Sequence, residues 1–203
     1  MRYSYNLRGT NGSGKTTVAR SLISHTGAEP IEWARPNKPL VYEGRLFDHP
    51  IFFLGSYVTD CGGCDTIDSV SKVAELLQQY MEPFGEGVVF FEGLMISHML
   101  GTVGAMQRKL GQERNVLAFL DTPLHTCIER VKARRVKKGN LSHFDPKNVV
   151  ADHPRVFSCR QNAIGQGYVV VDVDYEKAFK TVLEDLTILV KTPAMFPVGR
   201  RFL

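Results

Sequence analysis

A three-layer α/β/α fold with a mostly parallel central sheet is predicted by two observations. The first is the order of periodicities along the 203 residues. Short apolar runs of strand length alternate with amphipathic stretches of helical length, the pattern of a parallel sheet covered by helices. The second is Gly9-Thr10-Asn11-Gly12-Ser13-Gly14-Lys15-Thr16, a complete GxxxxGK[ST] loop set between a short strand and a helix. The length suits one domain over 1–203, large enough to bury a real core. The composition, 43% hydrophobic and 23% charged, is that of an ordinary globular protein.

The elements follow in order. Tyr3 to Leu7 reads as the strand before the loop, and the helix after it runs to about His25 with Val18 and Leu22 on one face. Between 26 and 60, Pro30, Pro36, Pro39 and Pro50 break helices, while Leu40 to Tyr42 and Ile51 to Leu54 read as short strands of a hairpin. A helix over about 69–80 carries Val70, Val73, Leu76, Leu77 and Tyr80 at helical spacing, with Asp68 or Ser69 as its cap and Asp68 preferred. Gly87 to Phe91 is a continuous apolar run, hence a central strand buried on both faces. A single helix over about 96–110 is expected next, then a buried strand over 116–120. Pro123 suits the first turn of a helix over 124–136. Strand 168–173 and helix 175–190 close the core. The core is thus 1–121 and 168–190, with a lid-like helical segment over about 122–162 and a basic tail over 191–203.

Several classes are disfavoured. The longest apolar stretch, 88–100, contains Glu92 and His98 and is too short to span a membrane. No signal-peptide pattern precedes the first strand, so a cytoplasmic protein without a membrane partner is expected. Four cysteines in such a chain do not form a disulfide framework. Cys61-Gly62-Gly63-Cys64 has C-x-x-C spacing, but a structural zinc needs two further ligands and a redox pair would head a helix. A structured substrate loop is the preferred reading. Oligomeric state is left open.

The octapeptide gives each residue a task. Gly9, Thr10, Asn11, Gly12, Ser13 and Gly14 turn backbone N–H groups toward a phosphate chain, and Thr17 continues into the helix N-terminus. Lys15 places a point charge on the β- and γ-phosphates, and the Thr16 hydroxyl joins the shell of a magnesium ion. ATP and Mg²⁺ are therefore the expected cofactors. Glu92, at the carboxyl end of the central strand, is the acid expected beside that magnesium. Asp121, ending the next strand before Thr-Pro, reads rather as a helix entry.

Charge is unevenly placed. Residues 1–100 carry 8 Lys/Arg against 11 Asp/Glu, a net of −3, and residues 101–203 carry 17 against 10, a net of +7. A basic second half suits an anionic ligand larger than a nucleotide, such as a polynucleotide. Six cations fall between Arg130 and Lys138, and Arg130 and Arg134 share one face at i, i+4. Arg155 and Arg160 fall on the return from this segment. The loop 60–68 holds Asp60, Asp65 and Asp68 around two glycines, a plausible pocket for a hydroxyl acceptor. Asp65 is preferred over Asp60 as the acid that positions the acceptor, with a turn or capping role as its competing reading.

Two resemblances follow from these residues. Phe119-Leu120-Asp121-Thr122-Pro123 through Arg135 resembles the strand and helix before the lid of nucleoside and nucleotide kinases. In that superfamily the arginines close over ATP, a role this would give first to Arg130 and Arg134 and then to Arg135. Gly55-Ser56-Tyr57-x-x-Asp60-Cys61-Gly62-Gly63-Cys64-Asp65-Thr66-Ile67 resembles the bacteriophage 5-hydroxymethyluracil DNA kinases, over about residues 1–175. That resemblance implies a P-loop NTPase fold and ATP-dependent transfer of the γ-phosphoryl group to the 5-hydroxymethyl group of a modified pyrimidine in phage DNA. It would place the protein in the host cytoplasm. A small-molecule nucleoside or nucleotide kinase is the alternative. A non-kinase NTPase module comes third, since Leu-Ser-Gly-Gly and Asn-Lys-x-Asp motifs are absent.

Overall fold

The structure is a computed structural model that describes residues 1–82, 85–140 and 142–196. Seven strands form one sheet: β1 (Arg2–Arg8), β2 (Glu29–Arg35), β3 (Lys38–Leu46), β4 (His49–Leu54), β5 (Gly87–Glu92), β6 (Asn115–Leu120) and β7 (Val169–Val173). Their spatial order is β2-β3-β4-β5-β1-β6-β7. The five strands from β4 to β7 in that order are parallel, and β2-β3-β4 is an antiparallel meander added at one edge. The loop after β1 therefore sits where chain connections leave in opposite directions, the crevice in which open α/β sheets bind ligands.

Continuous apolar runs become the strands buried on both faces. All six residues of β5 and all six of β6 are buried. On one face Tyr5, Leu7, Phe53 and Phe90 pack with Val18 and Leu22 of α1 (Lys15–His25) and Val182 and Leu186 of α7 (Ala178–Lys191). On the other, Val89 and Phe91 meet Val73, Leu76 and Leu77 of α2 (Val70–Met81) and Val103 of α4 (Gly101–Lys109). Farther along that face, Leu117 and Phe119 meet Val156 and Ala163 of α6 (Lys147–Gly165). Three layers result, as expected.

Several elements differ from the sequence reading. The Ser69 hydroxyl, not Asp68, caps α2, accepting from the Lys72 amide at 3.1 Å; Asp68 instead receives Lys38 at 3.4 Å. The helix expected over 96–110 is two, α3 (Leu94–Ser97) and α4, separated at His98. Ser97 holds the break in place: its hydroxyl donates to Gly93 O and accepts from the Gly9 amide at 3.2 Å. The last helix starts at Ala178, after Asp174 has capped the Glu176 amide. The strand β2 was not foreseen, and the long helix α6 was foreseen only as part of the lid-like helical segment over about 122–162. The first is exposed or half-buried along its whole length, and the second contains Pro154, a residue that argues against helix interior. The end of the basic tail, 197–203, lies outside the described residues.

The segment after β6 is helical, as a lid-like reading requires. It comprises α5 (Leu124–Lys137) and α6, which share a small apolar cluster of Cys127, Val131 and Val149.

Candidate active site

The loop after β1 is fixed from beneath. Lys15 is buried, and its ammonium donates to the carbonyls of Gly9 (2.6 Å) and Thr10 (3.1 Å). Burial pushes its pKa down, while nearby Glu92 and Asp65 act to raise it. A cationic donor held among backbone carbonyls is ready to exchange them for phosphate oxygens. Gly12 and Gly14 have φ of 85° and 104°, in the left-handed region that suits glycine. At Gly12 the need is also spatial: a Cβ would lie 2.4 Å from the Cys127 carbonyl oxygen of α5.

The α5 helix closes on this loop through its cations. Arg130 Nη1 donates to Ser13 O at 3.2 Å, and Arg134 Nη2 to Asn11 Oδ1 at 2.8 Å. The Arg130 guanidinium also lies 5.6 Å from the centre of the Tyr175 ring. Thr122 Oγ1 donates to Ser13 O at 2.9 Å, anchoring the start of α5.

Glu92 is buried at the end of β5, and Thr16 Oγ1 donates to its Oε1 at 2.9 Å. Burial pushes the Glu92 pKa up to about 7, against the opposing pull of Lys15 and the Thr16 hydrogen bond. The donor set, one hydroxyl and one carboxylate oxygen beside the phosphate loop, fits a hard cation that takes its other ligands from phosphates and water. No cluster of three or more His, Cys, Asp or Glu side chains suited to a metal occurs among the described residues.

Across the cleft lies the acidic loop. It is pressed close against Glu92: at Gly63 (φ 68°) a Cβ would lie 2.5 Å from Glu92 Oε1. Asp65 accepts from the amides of Leu94 (2.7 Å) and Met95 (3.2 Å) at the start of α3. The capping reading of Asp65 thus describes its contacts, and the exposed carboxylate still borders the cleft. Asp60 pairs with Arg20 at 3.4 Å, and Arg20 Nε donates to Tyr57 O at 3.1 Å. Cys61 is exposed on the cleft and Cys64 is buried behind it; both are free thiols, and burial pushes the Cys64 pKa well up.

One cleft of about 920 Å³ brings these groups together: Asn11 to Thr17, Asp60, Asp65, Glu92, Arg130 and Arg134 all line it. Gly9 and Thr10 stand behind, as the carbonyls that hold Lys15. Other predicted groups go elsewhere. Arg135 donates to Ser142 Oγ and lies over Phe144. Arg160 forms a bidentate pair with Asp172, Arg155 pairs with Asp152, and Asp121 accepts from the Tyr175 amide. Lys137, one of the six cations of the 130–138 run, also lines the cleft, whereas sequence reasoning missed Arg20, Met95 and Tyr175 on its wall. For Arg20 a signal existed: it follows Thr16 at i, i+4 on α1. The exposed Met95 carried none.

A phosphate cradle at the switch point of a parallel sheet, closed by arginines from a helical segment, defines the class of P-loop phosphoryl-transfer proteins. Comparison with known sequences then gives the family. The sequence profile of the family described as 5-hmdU DNA kinase matches residues 3–166, and the chain belongs to that family. Among its relatives, the 5-hmdU DNA kinase of Pseudomonas phage PaMx11 is 35% identical over 184 residues, covering 87% of this chain and 93% of that protein. The 5-hmdU DNA kinase of Pseudomonas phage M6 is 30% identical over 193 residues, covering 90% and 96%.

Proposed function

We propose that this protein is an ATP-dependent kinase that transfers the γ-phosphoryl group to the 5-hydroxymethyl group of 5-hydroxymethyluracil in DNA. One observation carries the reading beyond family membership: an acidic loop packed against Glu92 faces the phosphate cradle across a single cleft. ATP lies along the N–H groups of Asn11 to Thr17, with Lys15 on its β- and γ-phosphates. Thr16 and Glu92 would hold Mg²⁺, which when bound neutralises phosphate charge. Arg130 and Arg134 trade their contacts to Ser13 O and Asn11 for the oxygens of the transferring group, where developing charge is stabilised by preorganised donors.

On the other side Asp65 accepts the hydrogen bond of the acceptor hydroxyl and turns its oxygen toward the γ-phosphorus. Its two backbone donors fix the carboxylate in place, so it orients the hydroxyl without moving itself. Asp60, tied to Arg20, forms the side of the same pocket. A base inside a duplex must leave the stack to reach such a site.

The reading is tested with γ-labelled ATP and Mg²⁺, offering 5-hydroxymethyluracil DNA, unmodified DNA and free 5-hydroxymethyl nucleoside in parallel. Label should enter only the modified DNA, with a KM for DNA that rises steeply with salt. Transfer to the free nucleoside alone, insensitive to salt, would replace this reading with a small-molecule kinase.

A further inference from the structure

The cleft chemistry gathers on the segments that follow four of the five parallel strands and on Glu92 at the end of β5, yet the sheet continues beyond them into the β2–β3 hairpin. The register decides where its tip points. Because β4 runs parallel to β5 and β1, its end at Leu54 lies at the cleft edge; because β3 is antiparallel to β4, its start at Lys38 lies there too. The hairpin closes at that edge through Pro36 and Asn37, between the paired Arg35 and Lys38. Asn37 has φ of 65°, and proline followed by a left-handed residue is the signature of a tight turn.

The hairpin is also fastened to the acceptor loop at both ends. Leu40 O accepts from the Gly55 amide at 2.7 Å, and Lys38 Nζ reaches Asp68 at 3.4 Å. The chain between Gly55 and Asp68 contains Asp60 and Asp65, so the turn stands beside the acceptor side of the cleft. Near that turn the protein places its one tryptophan. Trp33 is 53% exposed, an unusual position for the largest apolar side chain. The Arg35 side chain next to the turn is exposed and makes no hydrogen bond or ion pair among the described residues.

We propose that this hairpin grips the DNA strand beside the nucleotide in the cleft, with Trp33 stacking on a neighbouring base and Arg35 pairing with a backbone phosphate. The inference rests on DNA being the acceptor. An exposed ring and an exposed guanidinium two residues along the strand supply the two kinds of group that bind single-stranded or unstacked nucleic acid. A second copy adding a strand to the β2 edge is the competing occupant, and β2 is poorly built for it. Its pairing with β3 is irregular at three places, between Pro30 and Glu32, Glu32 and Trp33, and Trp33 and Arg35. Bulges and a proline blunt an edge against strand addition.

The lone tryptophan makes the test direct. Indole emission of the full chain is followed on titration with a 5-hydroxymethyluracil oligonucleotide, and separately with the free nucleoside. Emission should be quenched saturably by the oligonucleotide and left unchanged by the nucleoside. Trp33→Ala should raise KM for DNA about tenfold with kcat and KM for ATP unchanged. Trp33→Phe should restore most of the loss, and Arg35→Ala should lower the slope of log Kd against log salt by about one. If DNA is phosphorylated while emission and the Trp33→Ala and Arg35→Ala parameters stay as in the wild type, the hairpin inference falls and the kinase reading stands. If only the free nucleoside is phosphorylated and no DNA binds, both fall. Emission that changes with protein concentration in the absence of DNA would assign the hairpin to a second copy and overturn the inference.

Discussion

The two walls of the cleft are built on different principles. The phosphate wall is over-determined: Lys15 is buried on two carbonyls, Thr16 is bonded to buried Glu92, and Gly12 admits nothing larger against Cys127. The acceptor wall is half-exposed: among the described residues Asp65 is held by two amides and Asp60 by one arginine, and Met95 and Cys61 open to solvent. One wall meets a ligand part shared by all nucleoside triphosphates, so its geometry is set by backbone. The other meets the substrate that distinguishes one such enzyme from another, so its chemistry is carried by replaceable side chains. Changes on the phosphate wall should therefore abolish transfer to any acceptor, and changes on the acceptor wall should alter acceptor use first.

The largest effect is expected at Lys15. Lys15→Ala removes the point charge on the β- and γ-phosphates and should lower kcat about 10³-fold with every acceptor. Thermal unfolding of the nucleotide-free protein should be unchanged or slightly raised, because the variant no longer buries an ammonium whose pKa burial already depresses. Transfer persisting near the wild-type rate would remove the P-loop from the chemistry and with it the contrast between the walls.

The phosphate wall was legible for the same reason that it is rigid. A left-handed backbone at Gly12 and Gly14 leaves only glycine, and the chemistry leaves only Lys15 and Thr16, so the octapeptide is visible in a single sequence. The buried strands were legible because both faces of β5 and β6 are apolar, which places Glu92 at a strand end. The acceptor wall was legible only as a cluster of acids. Nothing local distinguishes Asp65, which caps a neighbouring helix 29 residues away in sequence, from Asp68, which holds Lys38. Those assignments are made by tertiary contacts. Strand β2 escaped for a similar reason: it buries almost nothing, so no apolar period marks it, and its pairing with β3 is decided across a two-residue turn.

The second test concerns Glu92 and is read in stability. Its folded pKa is raised from 4.5 to about 7, chiefly by burial, so between these values the folded chain binds more protons than the unfolded one. Stability of the metal- and nucleotide-free protein should therefore fall as pH rises from about 4.5 through 7, by up to about 3 kcal/mol. Glu92→Gln should flatten that dependence in urea unfolding at pH 5 and pH 8, and gain on the wild type only at the higher pH. A wild-type profile that is flat between these pH values would mean that Glu92 is ionised throughout. The buried wall would then lose the electrostatic cost that nucleotide binding is expected to relieve.

The smallest of the three effects is the sharpest probe of the acceptor wall, because Asp65 has two readings that one substitution separates. Asparagine caps helix N-termini about as well as aspartate, so Asp65→Asn, whose single amide oxygen replaces the two that accept from Leu94 and Met95, should keep one of these contacts and cost about 1 kcal/mol in stability. It loses the charge that accepts the acceptor hydroxyl. If Asp65 positions that hydroxyl, kcat on hydroxymethylated DNA should fall about 10²-fold, while ATP binding in the absence of acceptor stays unchanged. Asp60→Asn, which loosens Arg20 without touching α3, should cost less. Equal and small losses at both positions would make Asp65 a cap alone and move the acceptor contact elsewhere on this wall. Arg20 and Met95 then remain as groups facing the same cleft.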